Sequence, residues 1–143
     1  MRLNKLISGL FILLSFAAHA DDFTYNCTQR TDRSPVDPKI GAISVSVQSL
    51  KNVTKEVSFG NNYDHVYKVK LDVSRTLNKK TTKIKSFEAI ATTYDVKFNV
   101  WANKEHGVGM YIYLDELDES GITLTDASGK KTEISLDCGE ENN

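Results

Sequence analysis

From residue 23 onwards apolar and polar side chains alternate with a period of two, in one short run after another. Ile43, Val45 and Val47 alternate with Ser44, Ser46 and Gln48, and Tyr67, Val69, Leu71 and Val73 alternate with Lys68, Lys70, Asp72 and Ser74. Successive side chains of a strand point to opposite faces, so this pattern predicts strands that bury one face and wet the other. Tyr94, Val96, Phe98 and Val100 make a third run, and Val108, Met110, Ile112 and Leu114 a fourth. Between them Asn103-Lys104-Glu105-His106-Gly107 carries turn chemistry, so the two runs read as a hairpin. A last hairpin joins Ile122 and Leu124 to Ile134 and Leu136 through Asp126-Ala127-Ser128-Gly129, where the glycine is free to take a positive φ.

The stretch Thr81–Thr93 is less regular. Ile84, Phe87, Ile90 and Tyr94 approach helical spacing, but the threonines and the lack of a glycine stop favour a strand with a bulge. At the two ends, Phe23, Tyr25 and Cys27 share one face of an alternating run, and Ile134, Leu136 and Cys138 share one face of another. Both cysteines therefore sit on apolar faces, which suits a buried structural bridge. The expected fold is all-β: one domain of seven or eight antiparallel strands, a β sandwich or small barrel, with a Cys27–Cys138 disulfide joining its first and last strands.

Ahead of the strands, Arg2 and Lys5 precede an apolar run from Leu6 to Ala17, and Ala18-His19-Ala20 offers small residues where a signal peptidase reads. The run is about a dozen residues long, whereas a membrane-spanning helix needs roughly 20. Residues 1–20 are expected to be a cleaved signal and 21–143 a single β domain. The domain would be exported to the periplasm or beyond, without a stable membrane anchor. Losing Arg2 and Lys5 leaves 16 basic against 19 acidic side chains, a net charge of −3. That balance argues against a nucleic-acid partner, which draws on clustered Lys and Arg.

Catalytic and metal motifs do not stand out. The only histidines after residue 20 are His65 and His106, and no CxxC or HxxxH spacing accompanies them, so neither a metal nor another cofactor is expected. A GxSxG elbow, an HExxH helix and a phosphate-binding glycine loop are all missing, and no enzyme is expected. Asp115, Glu116, Asp118 and Glu119 do not follow the order of a calcium loop and fit a solvated turn. Lys79, Lys80, Lys83 and Lys85 surround a turn at Asn78, where strand lysines discourage edge-to-edge pairing.

Two places stand out as contact surfaces. Thr28–Lys39 holds both prolines together with Arg30 and Arg33, and irregular loops tied to a rigid frame often carry binding residues. Either arginine suits a protease specificity pocket. Trp101, Tyr111 and Tyr113 have the opposite parity to the core positions of their hairpin and are expected to form an aromatic contact patch. The sequence points to an exported, non-catalytic domain that binds a protein or a glycan. A protease inhibitor using the Thr28–Lys39 loop is the alternative, and an envelope enzyme without a recognisable motif comes third.

Overall fold

Strand alternation becomes a barrel because each strand has an apolar face and the chain turns back on itself seven times. The computed structural model describes residues 22–141; the signal segment expected at residues 1–20 lies outside these residues. The strands are β1 (Thr24–Gln29), β2 (Ala42–Asn52), β3 (His65–Leu77), β4 (Lys80–Tyr94), β5 (Lys97–Asn103), β6 (Val108–Tyr113), β7 (Ser120–Thr125) and β8 (Lys131–Glu140). Each is antiparallel to the next, and β8 returns to pair with β1, so the sheet closes into an up-and-down barrel. Closure decides between the two architectures the alternation allows: there is one curved sheet, not two stacked ones.

The inward positions are those of the apolar parity. Ile43, Val45 and Val47 of β2 meet Val69, Leu71 and Val73 of β3, followed round the barrel by Phe98 and Val100, Met110 and Ile112, Ile122, and Leu136. The outer face carries Ser46, Lys68, Lys70 and Asp72. This polarity is the inverse of a lipid-facing barrel, whose apolar band points outwards. Cys27 and Cys138 are direct register partners on β1 and β8, disulfide-bonded and buried within the core.

β4 is a continuous strand, and its register against β3 slips between Val73 and Ser74, leaving Ile84 as the extra residue of a bulge. The β3–β4 turn is a two-residue reversal with both Asn78 and Lys79 at positive φ, the backbone that matches the twist of the flanking strands. Register with β5 runs only from Ala91 to Tyr94. On its β5 side the lysine-bearing part of β4 thus has no strand partner among the described residues, and the Lys85 ammonium donates to the His106 carbonyl in the β5–β6 turn.

Three sequence expectations need correction. Tyr94 and Val96 are not inward residues of β5: Asp95 takes a positive φ and reverses the chain, so Tyr94 ends β4 and both side chains are exposed. Leu114 lies just past β6 and is likewise exposed. The irregular segment after β1 begins at Arg30, because Thr28 and Gln29 still pair with β8.

In the chain-entropy view, a bridge closing a loop of about 100 residues contributes roughly 4 to 5 kcal/mol by restricting the unfolded chain; here the cysteines are 111 residues apart. Denaturant unfolding of Cys138→Ser is expected to show a loss of about 2 to 5 kcal/mol. Phe98→Ala should lose about 3 to 5 kcal/mol of packed volume, and exposed Lys83→Ala should stay within about 0.5 kcal/mol. A lysine change as costly as the phenylalanine change would contradict the strand parity.

Candidate ligand-binding site

Odd-numbered strands of an up-and-down barrel all start at one end, and here β1, β3 and β5 start with rings. Phe23 and Tyr25 at the head of β1, Tyr67 at the head of β3 and Phe98 at the head of β5 all point inwards. Phe23 is the hub. Its ring lies 5.0 Å from Tyr67 and 5.5 Å from Phe98, edge-on to both, and 5.5 Å from Tyr25. Edge-to-face packing at such distances is favourable and fixes ring orientation.

Backbone pairing continues past the strand ends and holds these rings in place. Ser49 N donates to the Phe23 carbonyl, and the Phe23 N–H donates to the Ser49 hydroxyl at 2.8 Å. Opposite, Asp64 N donates to the Thr93 carbonyl, and the Asp64 carboxylate accepts from Asp95 N at 2.8 Å, locking the β4–β5 turn.

The rings do not fill the barrel at this end. They wall a cavity of about 670 Å³ that opens to solvent between the heads of β1, β3 and β5 and the tails of β4, β6 and β8. Its size falls within the roughly 300–1,000 Å³ usual for small-molecule sites, and eight strands are enough to hold one small ligand. His65, Leu114 and three carboxylates, Asp64, Asp95 and Glu140, complete the lining.

Thr93, which lines this cavity and is only 8% exposed, has a buried hydroxyl without a hydrogen-bond partner among the described residues. Such an orphaned group calls for a specific explanation, because an unmade hydrogen bond is costly. Burial, reinforced by Glu140 and Tyr67, pushes the Tyr25 phenol above the ordinary tyrosine range. It therefore remains a hydroxyl donor at neutral pH.

The outer aromatics separate into two groups. Trp101 is 51% exposed, its indole N–H donates to the buried Thr92 hydroxyl at 2.9 Å, and its ring neighbour is Tyr63 in the β2–β3 connection. Tyr111 and Tyr113 pair with one another under the Lys97 ammonium. Tyr111 lies across Gly121, where a Cβ would come within 2.7 Å of the phenol oxygen. The three residues share an outward parity but form a tryptophan platform and a separate tyrosine pair.

Arg30 and Arg33 face the barrel instead of solvent partners. Arg30 is bidentate to Asp32 and donates to the Asp118 carbonyl, its side chain only 17% exposed; Arg33 is paired with Glu119 at 2.5 Å. This clamp secures the short turn Leu117–Glu119, whose Leu117 packs on the core where β7 is too short to fill the space between β6 and β8. Among the described residues no cluster of three metal-ligating side chains occurs. Comparison with protein-family models, curated proteins and solved structures returns no match.

Cup and sequence reading overlap only partly. The alternation identifies Phe23, Tyr25, Tyr67 and Phe98 as inward residues, but as core filling. The missed signal is that large rings recur at the first inward position of β1, β3 and β5, which antiparallel order gathers at one end.

Arg33 holds the Glu119 carboxyl below its usual range, and Arg30 does the same for Asp32. A depressed folded pKa means that the clamp contributes fully above the unfolded values of 4.5 and 3.8 and is lost as pH falls through the folded ones. Exchange protection of the Ser34 amide, which donates to the Arg30 carbonyl, should therefore drop, relative to the β2–β3 amides, as the pH falls below those unfolded values and through the folded ones. Unchanged relative protection, or the same drop in the double variant Asp32→Asn/Glu119→Gln, would contradict the clamp.

Proposed function

We propose that the chain is an exported, non-catalytic binding domain whose ligand site is the aromatic mouth of the barrel. One observation carries this reading: an open cavity lined by four rings also counts in its lining Thr93, whose buried hydroxyl has no hydrogen-bond partner among the described residues. A core built only for stability is close-packed and satisfies its polar groups. The ring walls supply apolar contact, and Thr93 and Tyr25 supply the few polar contacts that fix a ligand's orientation.

The half-exposed Trp101 beside Tyr63 supports a second reading, in which the outer face takes the glycan or protein partner. Stacking on a sugar ring suits an indole whose N–H is already satisfied. The inhibitor alternative fares worse, since both arginines of its loop are engaged in ion pairs.

A neutral fluorescent naphthylamine separates the sites. Wild-type protein is expected to bind N-phenyl-1-naphthylamine saturably at one site, and Leu114→Trp, which narrows the mouth, should weaken binding about tenfold or more with an unchanged unfolding midpoint. No saturable binding would overturn the proposal. So would binding that survives Leu114→Trp and disappears in Trp101→Ala, which would place the site on the outer face.

A further inference from the structure

The charges at the mouth of the cup are one-sided. Asp64, Asp95 and Glu140 stand on its lining, where among the described residues no lysine or arginine joins them and His65 is the sole basic group. The nearby Lys97 lies outside, over Tyr111 and Tyr113. Beneath the carboxylates the lining rings are the partly exposed Phe23 and Tyr25, packed on the buried Tyr67 and Phe98.

We infer that the cup takes a small organic cation, an apolar body bearing an ammonium group, held by the aromatic walls and the acidic rim. This rests on the reading of the mouth as the ligand site. Ring faces carry a negative quadrupole and attract a cation within about 6 Å, most strongly where water is displaced. A neutral or anionic ligand of the same shape would gain only the apolar contact, and an anion would also meet the field of three carboxylates. Two features, independent of one another, point the same way. Carboxylates alone would suit any solvated turn, but here they ring a cavity with aromatic walls. In its lining, the nine-tenths-buried Thr93 hydroxyl has no hydrogen-bond partner among the described residues, and a polar atom of an entering molecule would satisfy it. Asp64 already accepts from the backbone of Asp95, which leaves Asp95 and Glu140 as the rim charges that can be neutralised without disturbing the turn. The positive φ of Asp95 is a backbone that asparagine also adopts readily.

Three probes of one shape test the inference by calorimetry and amide shift mapping on the oxidised protein: 4-phenylbutylamine, 4-phenylbutan-1-ol and 4-phenylbutyrate. The amine should bind about tenfold or more tighter than the alcohol, the carboxylate weakest, with shifts at Thr93, Tyr25 and Phe98. In Asp95→Asn/Glu140→Gln the amine's advantage should fall several-fold while the alcohol's affinity is retained, and salt should reduce the advantage in the wild type. Equal binding of amine and alcohol at the mouth would overturn the cationic preference and leave the cup standing as a ligand site. Failure of all three probes to shift any mouth residue would overturn both.

Discussion

The pairing of β1 with β8 is the constraint on which the rest depends. β1 is six residues long and hydrogen-bonds on both sides, to β2 and to β8. Without the second of these ladders the sheet would be an open meander with two exposed edges, and Phe23 and Tyr25 would have no opposing wall. The Cys27–Cys138 bridge sits across this seam, at the pair that also belongs to the core. A covalent link at the seam converts a weak terminal strand into part of the closed wall, because fraying of β1 no longer separates it from β8.

Closure with strands of unequal length leaves two irregular places, and the chain treats them differently. β7 stops short of the mouth, so the tails of β6 and β8 pair only with β5 and β1. That space is plugged by Leu117 and its turn, which the Arg30–Asp32 and Arg33–Glu119 clamp fastens from the neighbouring loop. At the mouth itself the large rings lean on one another around Phe23 and leave volume in front of them. The gap in the wall is closed by Leu117 and the charge pairs that fasten its turn, whereas the mouth is lined by rings and carboxylates that remain accessible.

Strand identity and parity were legible wherever alternation was unbroken, as in Ile43–Val47 and Tyr67–Val73, because a period of two has no other physical reading there. The parity of Cys27 and Cys138 likewise carried the terminal bridge. Parity failed at Tyr94 and Val96, where the pattern continues straight through a turn; Asp95 adopts the left-handed backbone without a glycine or proline to announce it. The Trp101, Tyr111 and Tyr113 face was legible as outward, but its division into two groups depends on the β2–β3 connection, which brings Tyr63 to Trp101. The cup was the least legible feature. Its residues are separated by up to 117 positions, from Phe23 to Glu140, and only the closed topology assembles them.

Closure is most directly tested by long-range nuclear Overhauser effects and amide exchange across the β1–β8 seam in the oxidised protein. Cross-strand contacts at Tyr25–Glu140, Cys27–Cys138 and Gln29–Leu136 are expected, with the seam amides exchanging as slowly as those between β2 and β3. Contacts confined to the disulfide itself, with rapidly exchanging β1 and β8 amides beside a protected β2–β3 ladder, would show an open sheet and contradict the account.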